Sequence, residues 1–235
     1  MFFAYGIVRA QSFELAWLNL GEDSVPLCLI VEGELAMLCA EMEEDSAGTR
    51  ESMRSYTEAL CQIIKHTTII PLRFGTLFDQ EEQIKEILRQ QAKDYLKLLS
   101  QLENKIEVEL KVWWKQESFQ QTIMKNKRLS RWKKALEAGV GKGYDVVEFG
   151  KAIQEAAEQQ RKEVEKEFLA LLRPLAVKWS IKEPLDEYQA FDAVFLVDRR
   201  KEEGFDATVG ILYDRNPGKY VFKYTGPWAP HHFID

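Results

Sequence analysis

The chain has 235 residues, enough for two ordinary domains, and 46% of them are hydrophobic, so a sizeable core can form. Charged residues make up 30% and the formal net charge is −6, which argues against a general nucleic-acid binder, whose footprint is a strong positive field. No apolar run approaches the roughly 18 to 20 residues of a membrane helix, and the apolar opening Met1-Phe2-Phe3-Ala4-Tyr5 lacks a basic leader, so no signal peptide is expected.

Residues 2–8 read as a short buried strand. Residues 13–20 read as a helical or irregular piece ended by Gly21. Leu27-Cys28-Leu29-Ile30-Val31 is a second strand, Glu32-Gly33-Glu34 a tight turn, and residues 35–42 a third strand that pairs back. Cys28, Cys39 and Cys61 are odd in number, lie in apolar surroundings and lack zinc or redox spacing, so they read as reduced core thiols of a cytoplasmic protein. Glu41, Glu43, Glu44 and Asp45 read as an exposed loop, since a paired-carboxylate site needs an enclosing pocket.

Met53, Tyr56, Leu60, Ile63 and Ile64 recur at helical spacing and predict a helix over residues 49–66. His66 closes that helix, where a cation suits the negative end of the dipole. A strand over residues 68–70 stops at Pro71, and a loop continues through Leu72-Arg73-Phe74-Gly75-Thr76. Asp79 and Glu82 have capping-box spacing and open one long helix with Ile84, Ile87, Leu88, Tyr95, Leu98, Leu99 and Leu102 on its face. Ile106, Val108, Leu110, Val112 and Trp114 then alternate with Glu107, Glu109, Lys111 and Trp113, which predicts a strand with one wet face. Trp113 shares the polar face and is expected to point outward. The order β, β, β, α, β, α, β predicts an α+β domain over residues 1–115, a ferredoxin-like sandwich with an extra strand.

Residues 116–125 and 127–138 read as short helices. Lys125, Lys127, Arg128, Arg131, Lys133 and Lys134 form a basic cluster, either a solvated helix face or a site for an acidic protein, with no aromatic platform for nucleic acid. Gly139-Val140-Gly141-Lys142-Gly143 fails the phosphate-loop spacing, with Leu136 in place of glycine and Gly143 where a hydroxyl residue should ligate magnesium, and reads as a hinge. Val146, Phe149, Ile153, Ala156, Gln160, Val164, Phe168 and Leu171 mark a long helix over residues 144–172, ended by Pro174. Strands over residues 175–181 and 190–197, a short helix around Phe205, Val209 and Leu212, the turn Asn216-Pro217-Gly218 and a strand over residues 220–224 complete a second α+β domain, 116–235.

The tail Gly226-Pro227-Trp228-Ala229-Pro230-His231-His232-Phe233 is stiff and aromatic. Two prolines fix φ and donate no backbone hydrogen bond, while Gly226 allows a sharp change of direction. Chain ends are usually loose and polar, so this one reads either as a docking device or as a staple that pins one part of the chain to another. His231 and His232 are adjacent and point to opposite sides of an extended chain, which suits a solvated or partner-contacting pair better than a metal site. No nucleophile, base and orienting acid assemble into a catalytic set, and no cofactor or metal site is expected.

Four stretches carry a family resemblance. Tyr5-Gly6-Ile7-Val8 resembles the first strand of the gas vesicle protein F/L family, and Pro71-Leu72-Arg73-Phe74-Gly75-Thr76 matches its Pro-x-Arg-Phe-Gly-Thr element. Ala193-Val194-Phe195-Leu196-Val197-Asp198-Arg199 is similar to its Ala-Phe-Leu-Val segment, with Val194 as an additional residue. Gly226-Pro227-Trp228-Ala229-Pro230 resembles its closing Gly-Pro-Trp-Pro-Pro signature, with Ala229 in place of the first of the two closing prolines. The resemblance spans residues 5–233 and is strongest to cyanobacterial F-type members. It implies a minor gas vesicle protein of the cytoplasm that supports vesicle formation, in nucleation or shell assembly, and engages the small hydrophobic major shell protein and other minor vesicle proteins. It implies no enzymatic activity, no nucleic-acid partner and no membrane. A binder of an apolar shell subunit needs exposed anchors in a polar setting, and Arg73, Trp113, Trp228 and Phe233 are the expected contacts. The rival expectations are a nucleotide-dependent assembly factor, favoured by the Gly-Lys loop, and a chaperone-like adaptor outside the vesicle system.

Overall fold

The computed structural model describes residues 1–12, 26–41, 48–137 and 146–234. The expected piece over residues 13–20, the acidic run beyond Glu41 and the Gly139–Gly143 hinge lie outside the described residues. In the first half, the apolar runs Phe2–Arg9 (β1), Leu27–Glu32 (β2) and Leu35–Glu41 (β3) form strands, joined by the short strands Ile70–Pro71 (β4) and Leu77–Phe78 (β5). Their order is β2-β3-β1-β4, with β5 beside β1, and every paired neighbour is antiparallel. That order is the one a ferredoxin-like sandwich requires. Gly33, at φ +60, makes the β2–β3 hairpin turn possible. Gly6 is needed for space: a Cβ there would sit 2.5 Å from Ile69 Cδ1 and 2.6 Å from the Ile70 carbonyl oxygen.

Helix α1 (Arg50–His66) starts at Thr49, whose hydroxyl oxygen accepts the Ser52 N–H at 3.1 Å. It buries Tyr56, Ala59, Leu60, Ile63 and Ile64 in a cluster with Phe3, Tyr5 and Leu38. The single long helix expected from residue 79 is instead two, α2 (Glu81–Gln90) and α3 (Ala92–Leu102), broken at Gln91 with φ −107 and ψ 13. The capping role falls to Gln83, whose Oε1 accepts the N–H groups of Asp79 and Gln80 at 3.0 and 3.2 Å. The Asp79–Glu82 spacing misses because the helix begins one residue later than that pair supposes, with Gln80 at the cap and Gln83 at the third helical position.

The second sheet is built from β6 (Lys105–Trp114), β7 (Ala176–Ile181), β8 (Gln189–Asp198) and β9 (Tyr220–Trp228), in the order β7-β8-β6-β9. Helices α4 (Gln116–Met124), α5 (Lys127–Glu137), α6 (Val146–Leu172) and α7 (Glu202–Arg215) connect its strands. The core of this region is aromatic: the Phe168 ring lies 5.4 Å from Phe191 and stacks at 6.0 Å on Phe222, and Phe195 lies 5.1 Å from Phe205.

Two features correct the sequence reading. Strand β6, expected to close the first domain, is an interior strand of the second sheet. Its polar face is not wet: Glu107 is 3% exposed, and Glu109, Lys111 and Trp113 are half-buried. The chain accordingly forms two α+β units that do not divide at residue 115. One comprises Met1–Val108, Asp198–Arg200 and Gly226–Asp235; the other, Glu109–Val197 and Lys201–Thr225. The tail, grouped with the C-terminal domain on sequence, packs with the first unit, where Ala229 enters the apolar cluster of Phe3, Tyr56 and Ile63.

Candidate functional site

The loop after β4 is fixed on all sides. The Leu72 N–H donates to the Tyr5 carbonyl at 3.0 Å, and the Tyr56 hydroxyl donates to the Leu72 carbonyl. The Arg73 carbonyl accepts the Thr76 N–H at 3.1 Å and the Thr76 hydroxyl at 2.7 Å, closing a turn in which Gly75 takes φ +85. The Thr76 carbonyl in turn accepts the Ala4 N–H at 2.9 Å. Phe74 packs its ring 5.5 Å from Tyr56 and 5.6 Å from Phe3. Every backbone tie points inward, yet the Arg73 side chain is exposed, and among the described residues its guanidinium makes no hydrogen bond or ion pair.

The tail meets the same aromatic cluster. Strand β9 continues through Gly226, whose φ is +137 and whose Cβ, if present, would lie 3.0 Å from the Glu107 carbonyl oxygen and Val108 Cγ1. Trp228 is half-buried, and Ala229 and Pro230 are buried. The His231 ring lies 6.3 Å from the Tyr56 ring. Burial, and then the neighbouring His232, push the His231 pKa down, so it favours the neutral imidazole. His232 grips the Glu107 carboxylate twice, donating its N–H to Oε2 at 2.9 Å and placing Nδ1 2.6 Å from Oε1. Phe233 is 8% exposed.

Tyr56 therefore meets rings from both segments, Phe74 from the loop and His231 from the tail. Arg73, Trp228 and Phe233 all belong to this unit, with Arg73 outermost and Phe233 taken inside. The fourth expected contact, Trp113, is half-buried in the second unit. Two residues that organise the site were missed as such. Tyr56 read as one more apolar position of a helix, and Glu107 read as a solvated residue of an alternating strand. Neither carried a signal in its local pattern, because their partners, Leu72 and His232, are distant in sequence.

Elsewhere the geometry is less suggestive of a site. The six basic residues around α5 are exposed, with Lys133 3.9 Å from Glu137 and Arg128 over the Trp132 ring at 4.6 Å. Among the described residues, no group of three or more His, Cys, Asp or Glu side chains is arranged to hold a metal ion, and no helix is long and apolar enough to cross a membrane.

Comparison with known proteins places the whole chain. Residues 1–235 match the family model described as gas vesicle synthesis protein GvpL/GvpF. Gas vesicle protein F of Streptomyces sp. (strain CB03234) is 24% identical, with 99% of both chains covered. Gas vesicle protein F of Dolichospermum flosaquae is also 24% identical, over 91% of this chain and 89% of its own. Crystal structures of GvpF from Microcystis aeruginosa and Anabaena sp. PCC7120 superpose with TM-scores of 0.84 and 0.85 at 18% and 21% identity, each covering 100% of this chain and 98% of the other. These likenesses give the same two-unit α+β fold.

Proposed function

The chain belongs to the GvpL/GvpF family of gas vesicle synthesis proteins and has a role in gas vesicle formation, and from that membership we propose that it binds the major hydrophobic shell protein during nucleation or growth of the shell. The reading extends to contacts with other minor vesicle proteins and to action in the cytoplasm, at the vesicle, without catalysis. The observation that supports it is Arg73. A guanidinium without a partner among the described residues, carried on a loop whose backbone is tied at Leu72, Arg73 and Thr76, is pre-organised for a partner's carboxylate or carbonyl and loses little freedom on binding.

Trp228 and Trp113 add half-buried aromatic surface of the kind that anchors interfaces. Phe233, being buried, contributes by holding the tail that carries Trp228. The test is capture of the purified shell protein by the full-length chain and its variants. Arg73→Ala is expected to change stability by less than about 0.5 kcal/mol, as an exposed substitution does, while weakening capture about tenfold. Trp228→Ala is expected to weaken capture and leave the first unit folded. Unchanged capture by both variants would remove this surface from the reading and leave the tail a purely internal staple.

A further inference from the structure

Between Glu117 and Glu137 the sequence carries no aspartate or glutamate, while Lys125, Lys127, Arg128, Arg131, Lys133 and Lys134 all fall in that stretch. Across the chain, acids outnumber these bases by 38 to 32, so the stretch reverses the general balance. Buried Leu129 and half-buried Trp132 mark the inward side of α5. Lys127, Arg131 and Lys134, at i, i+4 and i+7, share the opposite side, and all three are exposed. The two cations that flank this stripe are answered: the Arg128 guanidinium lies 4.6 Å over the Trp132 ring, and Lys133 Nζ is 3.9 Å from Glu137 Oε1. Among the described residues, the side chains of Lys127, Arg131 and Lys134 make no hydrogen bond or ion pair.

This order of charge works against the helix that carries it. Lys127 and Arg128 stand in the first turn, at the positive end of the helix dipole, and that turn holds no acid. Lys127 and Arg131 are four apart and Arg131 and Lys134 three apart, so each pair sets like charges side by side and destabilises the helix. The cap is a neutral amide: Asn126 Oδ1 accepts the N–H groups of Arg128 at 3.0 Å and Leu129 at 3.4 Å. An aspartate in its place would cap the helix and relieve the charge together. Of the three stripe residues, Lys134 alone, in the last turn, sits where the dipole favours a cation. Places where a sequence breaks its own local rules are where function is expected.

We propose that the stripe of Lys127, Arg131 and Lys134 is a docking surface for an acidic protein segment, one that presents several aspartates or glutamates in a row. The three head groups are spread over two turns, about 10 Å of helix, on an exposed face, which matches a row of carboxylates rather than one small anion. Among the described residues, neither α4 nor α5 exposes a large apolar side chain that could insert into a lipid surface. Trp132 is half-buried with Arg128 over its ring, so it offers no platform on which a nucleic-acid base could stack. The stripe lies in the second unit and uses neither Arg73 nor the tail, so it stands or falls independently of shell-protein capture.

The surface is tested by fluorescence anisotropy of a labelled hexaglutamate peptide titrated with the full-length protein at low ionic strength, where screening is weakest. One saturable site per chain is expected, weakening as salt is raised. Lys127→Gln, Arg131→Gln and Lys134→Gln should each weaken binding about threefold, the scale of one exposed charge pair, and the triple variant roughly thirtyfold. Glutamine propagates a helix about as well as lysine or arginine, and the changes remove like-charge repulsion. The triple variant should therefore melt no lower than the wild type, which separates lost binding from lost folding; if it does melt lower, the single variants carry the test. Lys178→Gln, exposed on β7 of the same unit, should leave binding unchanged. Absence of saturable hexaglutamate binding, an equal loss in Lys178→Gln, or equal binding of hexaglutamine would overturn the proposal. Tighter, stripe-dependent binding of a single-stranded oligonucleotide of equal charge would reassign the surface to nucleic acid, and stripe-dependent sedimentation with phosphatidylserine vesicles would reassign it to lipid; either result also overturns the proposal.

Discussion

The two sheets of this chain solve the burial problem differently. In the first, β1 and β3 bury Phe3, Ile7, Val8, Leu35, Met37 and Leu38 at 1% exposure or less, and the packing is apolar throughout. In the second, β6 and β8 bury Glu107, Gln189 and Asp192, which are the only polar or charged residues among the described ones with so little exposure. Burying a charge is costly unless it is paired and hydrogen-bonded, and the two buried carboxylates and the half-buried Glu109 beside them are answered differently. Glu107 is held by His232, Glu109 by Lys182 at 2.6 Å and Lys111 at 3.2 Å, and Asp192 by Gln189 at 2.9 Å, with one carboxylate oxygen left without a partner. The first sheet depends on shape alone, and the second depends also on protonation.

The largest way to break this comparison is in the apolar sheet. Leu38, at 0% exposure, is expected to cost about 2–5 kcal/mol on substitution by alanine, through lost burial and the cavity left behind. Because no charge is removed, the loss measured by denaturant unfolding should be the same at pH 7 and pH 4. A smaller effect is expected from Glu107→Ala, about 1–3 kcal/mol, since it leaves the His232 N–H and ring without their acceptor while the half-exposed ring can turn to water. That variant should also loosen residues 229–233, seen as faster proteolysis from the C-terminal end. Glu107→Gln, which keeps an acceptor, should be milder. Equal proteolysis of wild type and Glu107→Ala would mean that the buried Ala229 and Phe233 hold the tail unaided.

The first sheet was legible in the sequence for the same reason that it is simple. Strands β1 to β4 are apolar runs bounded by Gly33 and Pro71 and fall within a residue or two of expectation, whereas the two-residue β5 at Leu77–Phe78 was read as loop. The second sheet was legible in its strands but not in its membership or its exposure. The alternation from Ile106 to Trp114 identified β6 correctly as a strand, yet polar residues at every second position were equated with water. That inference fails wherever a partner distant in sequence supplies the counter-charge, as His232 does 125 positions away from Glu107. Similarly, the tail's stiffness was plain from Gly226, Pro227 and Pro230, but its place in the first unit depends on Ala229 fitting a core that local sequence does not describe. Of the expected contact residues, Arg73, Trp113 and Trp228 keep accessible surface, and Phe233 is buried.

The smallest expected effects are the most discriminating, because two carboxylates of the second unit should respond to pH with opposite signs. For Glu109, desolvation raises the pKa, but the hydrogen bonds and charges of Lys182 and Lys111 together outweigh it and bring the pKa below its usual value. Its stabilisation is therefore present above about pH 4.3, the unfolded value, and is lost as pH falls. For Asp192, desolvation dominates over the charge of Lys111 and the bond from Gln189, and the pKa is raised. Its folded form holds the proton longer than the unfolded chain, so stability is greatest below about pH 3.9 and declines as pH rises through the folded value. Glu109→Gln should accordingly destabilise at pH 7, with the deficit vanishing toward pH 3. Asp192→Asn should stabilise at pH 7, because it removes the cost of a buried charge while Lys111 keeps Glu109 at 3.2 Å. That gain should also vanish toward pH 3. Urea unfolding across this range measures both. If Asp192→Asn instead destabilises at pH 7, the attraction of Lys111, 3.9 Å away, outweighs desolvation, and the buried carboxylate of β8 is a paired charge like its neighbour on β6.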